Sequence, residues 1–231
     1  MPVVSEATEL QKIGLFCGLT APDLAELNGL LHRRVVRAGA NVLLMDQPGD
    51  RVYFIWAGTL KAHIEQADGT EVIIFIRGPG ETVGEMSLID HTYPSANVVA
   101  LEPSVLFWMD GATFAACRRR MADLNDNLVR LLSDRVRYTT RRLVWLTTHS
   151  VEGRLARQLL AFAEQCGVPD GAGGLLIPLR LTQSDLASLV GASRESVNKV
   201  IVALKARGTL AVDPAYRITV GDRAALAALC E

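Results

Sequence analysis

Apolar residues change period several times along this chain. Residues 1–30 space them as a helix does, with Leu10, Ile13, Leu15, Phe16, Leu19, Leu24, Leu27, Leu30 and Leu31 lying around a break at Pro22. From residue 33 to about 108, short β-rich runs replace that pattern, at 34–36, 41–44, 51–56, 59–64, 71–76, 96–100 and 105–108. Glycines at 39, 49, 58, 69, 78, 80 and 84 punctuate them. Short strands at this spacing predict a sandwich or barrel. Asp68-Gly69 between two of the runs predicts a two-residue hairpin turn.

From about Gly111 the period becomes helical and stays so to about residue 149. Leu128, Leu132, Val136, Thr139, Leu143 and Leu146 advance by 4, 4, 3, 4 and 3 residues, while Leu124, Leu131, Tyr138 and Trp145 recur every seven on another face. One apolar face docks a helix on its own domain; two faces need two partners. The first row is therefore expected to be a dimer seam with the same helix of a second subunit, as in a parallel coiled coil. The competing expectation is one long helix buried within a single domain. Ser150 then caps a helix over 151–166, and 167–174 reads as a loop.

Residues 181–204 carry the most specific pattern. Thr182 opens a helix with Asp185 three residues on, close to a capping box. Ala187 is small where a second helix must cross, and Gly191 stands where the chain must turn sharply. Ser193 caps a second helix whose inward positions are Val197, Val200, Ile201 and Leu204, and whose outward face carries Arg194, Glu195, Asn198 and Lys199. Arg and Lys match the guanine acceptors of a major groove, and Glu matches the cytosine donor. A helix-turn-helix that binds double-stranded DNA is the expectation. Residues 208–220 read as the hairpin wing that follows it.

Composition adds limits. With 49% apolar and 21% charged residues the chain is an ordinary globular one. No apolar run reaches the roughly 18–20 residues of a membrane span. The opening Met1-Pro2-Val3-Val4-Ser5-Glu6 lacks the order of a signal peptide, so a cytoplasmic protein without membrane contact is expected. Net charge is segregated: −7 over 1–117, +5 over 118–150 and +1 over 151–231, which is compatible with a polyanion partner toward the back half. Cys17, Cys117, Cys166 and Cys230 show no metal-ligand spacing, and His32, His63, His91 and His149 are isolated. Neither a metal nor a cofactor is expected. No nucleophile triad order, P-loop or dinucleotide motif appears, and a cupin-like enzyme would need clustered ligands that His63 and His91 do not supply. The chain is therefore read as a non-enzyme; a small-molecule-binding module without DNA contact is the other alternative, and residues 181–220 argue against it.

With these residues in hand, the chain resembles the CRP/FNR family of bacterial transcription regulators over essentially its whole length, most specifically in Gly191-Ala192-Ser193-Arg194-Glu195-Ser196-Val197-Asn198-Lys199. The resemblance implies an α+β fold in three parts: a β-roll effector-type domain over 1–117, a dimerisation helix over 118–149 and a winged helix-turn-helix over 150–231. It implies a homodimer on a near-palindromic operator, with RNA polymerase as a further partner. Arg194, Glu195, Asn198 and Lys199 would face the bases of a GTGA-like core, and Gln183, Ser193 and Arg217 would touch phosphates. Lys199 stands where the family often has Arg. The seam would comprise Leu128, Leu132, Val136, Leu143 and Leu146, with a hinge near residues 149–151.

The implied effector pocket departs from the family. Gly84-Glu85-Met86 keeps the Gly-Glu-Leu part of the cyclic-nucleotide cassette, where the Glu would hold a ribose hydroxyl, and Thr139-Thr140 match the hydroxyl pair that contacts adenine. The Arg-Ser-Ala part reads Pro94-Ser95-Ala96, so a proline replaces the arginine that binds the cyclic phosphate. Burying that charge without its cation costs several kcal/mol. Three readings stay open: a regulator that needs no effector, one that takes another ligand with Arg135 or Arg142 supplying charge, and one that still binds cyclic AMP through an arginine from elsewhere. The family's iron-sulfur and haem sensors would need residues of which Cys17, Pro2 and His91 are only isolated examples.

Overall fold

In the computed structural model of the chain, which describes residues 2–69 and 71–230, Pro22 opens a helix instead of breaking one. It lies in the first turn of α1 (Ala21–Leu30), where a missing N–H has no helical acceptor to lose, and Thr20 caps the same turn through the Asp23 N–H. Two 3-10 turns, Ala7–Lys12 and Gly14–Phe16, precede it.

The β-rich runs become β1 (His32–Val36), β2 (Asn41–Leu43), β3 (Arg51–Ala57), β4 (Leu60–Glu65), β5 (Glu71–Arg77) and β6 (Thr82–Val83). The short helix α2 (Glu85–Asp90) leads to β7 (Asn97–Ala100) and β8 (Ser104–Asp110). They form two four-stranded sheets, ordered β1-β8-β3-β6 and β2-β7-β4-β5. In the first, His32, Trp108 and Tyr53 share one cross-strand row. The turn between β4 and β5 is longer than the two residues expected. Gly69 takes φ +82° and donates its N–H to the Gln66 carbonyl (2.9 Å), so Asp68-Gly69 closes a four-residue turn. Thr70 lies outside the described residues.

The single helical stretch expected from Gly111 is two helices, α3 (Gly111–Arg120) and α4 (Ala122–Thr148). Met121 separates them in extended conformation, with its side chain buried. No Gly or Pro interrupts the 27 residues of α4, which at 1.5 Å per residue run about 40 Å. Beyond it come α5 (Val151–Cys166), β9 (Val168–Pro169), β10 (Leu175–Ile177), α6 (Gln183–Val190), α7 (Arg194–Ala206), β11 (Leu210–Val212), β12 (Ile218–Val220) and α8 (Arg223–Ala228). Ser150 caps α5 as expected, accepting from the Gly153 N–H at 3.2 Å. The segment 167–174 is not wholly a loop: β9 pairs with β10, extending a sheet ordered β11-β12-β10-β9.

The chain divides into two compact units, Met1–His63 with Ile76–Arg137, and Ile64–Phe75 with Tyr138–Glu231. The first has a core of Phe16, Phe54, Phe107 and Phe114 with Leu10, Leu24, Leu27, Leu124 and Leu128. Asn28 fastens its N-terminal segment, accepting from the Val3 and Val4 N–H groups at 2.9 and 3.1 Å. In the second, Leu155, Leu159 and Phe162 of α5, Leu186 and Leu189 of α6, Val197 and Leu204 of α7, and Ile218 and Val220 of β12 are buried.

Leu128 needs a correction. It was expected in an intersubunit seam, yet it is 1% exposed in the first unit's core, while its neighbour Val129 is 55% exposed. Leu128→Ala should therefore cost about 2–5 kcal/mol in denaturant unfolding, whereas Val129→Ala should change the protomer's own folding by no more than about 0.5 kcal/mol. The reverse ranking would return Leu128 to the outer face.

Candidate nucleic-acid interface and effector pocket

The helix-turn-helix forms from local hydrogen bonds that the sequence specifies. Thr182 and Asp185 make a complete capping box, each side chain accepting the other's backbone N–H at 3.1 Å. Gly191 ends α6 with φ +62°; a Cβ there would stand 3.0 Å from the Leu146 side chain. Its N–H and that of Ala192 both reach the Ala187 carbonyl, which closes the turn. Ser193 caps α7 through the Ser196 N–H at 3.1 Å.

Val197, Ile201 and Leu204 turn α7 inward, with Val200 half-buried beside them. Arg194, Glu195, Asn198 and Lys199 are exposed together on its outer side. Glu195 and Lys199 form an ion pair at 2.8 Å with both side chains about three-quarters exposed. Gln183, expected at a phosphate, donates to Asn198 at 2.8 Å and so joins the start of α6 to the outer face of α7. The wing is β11 and β12. Arg217 is half-buried near its tip, with its N–H bonded to Asp213 at 2.8 Å. Beside it the Arg180 guanidinium lies 5.1 Å over the ring of Tyr216, an exposed residue at φ +62°.

Two arginines lie beneath the turn: sequence reasoning considered Arg142 only as a source of charge for the pocket, and passed over Arg154. Arg142 of α4 donates to the Leu189 carbonyl at 2.5 Å, and Arg154 of α5 to the Gly191 carbonyl at 3.0 Å. The last carbonyls of a helix lack intrahelical donors, which was the one available signal that something must supply them.

In the first unit, Gly84 sits at φ +88°, where a Cβ would come within 2.7 Å of the Arg51 carbonyl, and it starts α2. Glu85, next to it, is 1% exposed and is ion-paired with Arg135 of α4, which also donates to the Thr82 carbonyl at 2.5 Å. Burial lowers the Arg135 pKa, opposed by Glu85. The second Glu85 oxygen, Oε2, has no hydrogen-bond partner. Arg77 and Glu81 form another ion pair at 2.7 Å, and burial pushes the Glu81 pKa up against the pull of Arg77.

The other candidate pocket residues scatter in environment. Met86 is exposed, Ser95 is exposed, Ala96 is buried, and Pro94 is buried near Gly49, where an added Cβ would meet its ring at 3.3 Å. Thr139 and Thr140 belong to the second unit and are exposed on α4. The carboxylate that would hold a ribose hydroxyl thus already holds a guanidinium, and the side chain at the place of the phosphate-binding arginine has neither charge nor N–H.

A roll of antiparallel sheets together with a winged helix-turn-helix defines a class: DNA-binding transcription regulators built on a sensory-type domain. Residues 33–121 match the model of the cyclic nucleotide-binding domain, and residues 153–229 that of the Crp-like helix-turn-helix domain. The chain is 32% identical over 204 residues to the CRP-like cAMP-activated global transcriptional regulator of Mycobacterium tuberculosis, covering 88% of this chain and 91% of that one. It is 30% identical to the cyclic AMP receptor protein of Thermus thermophilus, covering 87% and 89%. Among solved structures, FixK2 from Bradyrhizobium japonicum superposes with a TM-score of 0.75 at 18% identity, over 87% of this chain and 98% of that one. The chain belongs to the CRP/FNR family. The Mycobacterium tuberculosis relative is by name a transcriptional regulator. Among the described residues no helix is long and apolar enough to cross a membrane.

Breaking the Glu85–Arg135 pair from one side should be costly. Arg135→Met strands a buried carboxylate and is expected to lower stability at pH 7 by about 3–5 kcal/mol, while the double variant Glu85→Gln/Arg135→Met should recover most of that loss. Equal losses in both variants, read by urea denaturation, would mean that the pair is not what holds Glu85.

Proposed function

We propose that this protein is a cytoplasmic homodimeric regulator that binds a near-palindromic operator and needs no cyclic nucleotide to do so. The observation that carries the DNA reading is the exposed set Arg194, Glu195, Asn198 and Lys199 on α7; by family likeness Gln183, Ser193 and Arg217 touch phosphates. By family likeness two such helices enter successive major grooves about one helical turn apart. RNA polymerase is the further partner. In this reading the functional segments are 1–117, 118–149 and 150–231.

Support for the dimer comes from α4. With Val129 in place of Leu128, the row becomes Val129, Leu132, Val136, Thr139, Leu143 and Leu146, spaced 3, 4, 3, 4 and 3. Val129, Val136, Leu143 and Leu146 are 55, 67, 64 and 44% exposed, an apolar stripe that water disfavours. Valine mostly at a and leucine mostly at d favour two parallel strands, and Thr139 is the one polar residue of the row. Independence of cyclic nucleotide rests on Arg135, which occupies Glu85 from within the protein. A second reading, binding of another ligand or of cyclic AMP itself, draws on the unpartnered Glu85 Oε2 and on the named activity of the relatives.

Fluorescence anisotropy on a palindromic TGTGA/TCACA duplex at fixed salt separates these. Tight binding without nucleotide, unchanged by cyclic AMP, is the expected result; binding that appears only with cyclic AMP would overturn the effector reading. Arg194→Ala/Glu195→Ala should abolish preference for the operator over random duplex, and preserved preference would refute the assignment of α7. Leu143→Asn should convert dimer to monomer in sedimentation and weaken operator affinity in parallel.

A further inference from the structure

We infer that Arg142 is a positioning residue for the recognition helix, a single guanidinium that ties the β4–β5 hairpin to the turn of the helix-turn-helix. The inference rests on the reading of α7 as the helix that enters DNA.

Arg142 is half-buried on α4, and its hydrogen bonds run to three backbone carbonyls. Nη1 donates to Ile74; Nη2 donates to Ile73 at 3.2 Å and to Leu189 at 2.5 Å. Ile73 and Ile74 belong to β5, at the edge of its sheet. Leu189 is in the last turn of α6, where carbonyls lack intrahelical donors and a cation is favoured by the helix dipole. All four residues lie within the second unit.

Three carbonyl groups of the turn divide among four donors. Ala187 takes the Gly191 and Ala192 N–H groups, Leu189 takes Arg142, and Gly191 takes Arg154. Of these, only Arg142 also reaches the hairpin. Among the described residues no carboxylate pairs with it; burial pushes its pKa down against the pull of Tyr138, so its charge is met by three carbonyl dipoles and by the Tyr138 ring, 5.9 Å away. A planar fork with five donors can span three acceptors from two segments; a lysine ammonium, a point donor, cannot reproduce that geometry. The tilt of α6, and through the αL turn at Gly191 the tilt of α7, is thereby referred to the β5 backbone.

Full-length Arg142→Gln, Arg142→Lys and, as a control for charge alone, the exposed neighbour Arg141→Gln test this. Hydrogen exchange, read without DNA, should show protection falling together at 71–77 and 186–192 in Arg142→Gln, at 189–192 only in Arg154→Gln, and at neither in Arg141→Gln. In anisotropy Arg142→Gln should lose at least ~10-fold in operator affinity, with affinity for random duplex and its salt dependence unchanged. Arg142→Lys should fall between Arg142→Gln and the parent. Unchanged exchange at either segment overturns the tie, and so does an equal loss on operator and random duplex. Joint loss of protection with operator affinity intact would leave a tie that positions nothing, which also defeats the proposal. If Arg194→Ala/Glu195→Ala leaves operator preference intact, the reading of α7 fails, and the exchange data still decide the tie separately.

Discussion

Two arginines taken out of water fix how α4 is used. Arg135 and Arg142 are seven residues apart, hence on one face of the helix, and burial lowers the pKa of each. A desolvated guanidinium is tolerated only where acceptors are in place. Arg135 is answered by the Glu85 carboxylate and the Thr82 carbonyl, Arg142 by three carbonyls. A slip of the helix by one residue rotates every side chain by about 100° and would leave both cations without acceptors. The face bearing Val136, Leu143 and Leu146 is therefore turned outward by electrostatics, although these side chains would gain from burial.

That constraint also explains which parts were legible in the sequence. The helix-turn-helix was readable because each of its devices is local: Thr182 with Asp185, Gly191, and Ser193 act within three or four residues. The seam was readable as a row but not in its phase. Leu128 and Val129 both continue a helical spacing from Leu132, and only the packing of Leu128 against the phenylalanine core decides between them. Pro22 misled because proline breaks a helix interior yet suits a first turn, and the break between α3 and α4 left no Gly or Pro as a mark. Met121 interrupts the helix while its side chain enters the core, a choice that tertiary packing makes.

The pocket shows the opposite limit. Gly84-Glu85-Met86 was readable as a segment, and the proline at position 94 stands out against the family pattern. What a carboxylate holds, however, is decided by a residue 50 positions away. A buried Glu selects the nearest cation, and with an arginine on α4 already beside it the requirement is met inside the fold. The family's cassette is thus partly retained in sequence, with its carboxylate paired to a side chain of the same protein.

On the DNA-facing side the same economy of charge operates at the surface. Glu195 and Lys199 pair with each other at 2.8 Å, and an exposed pair of this kind is worth only about 0–1 kcal/mol. In the proposed reading, parting them costs little, because a cytosine amino group and a guanine edge replace each partner. Against a wrong base, one of the two loses its partner and gains none, a penalty of about 1–3 kcal/mol per position. A helix face with only cations would attract any phosphate backbone equally well. Placing an acid among the bases' potential readers sacrifices some of that general attraction and converts the remainder into discrimination.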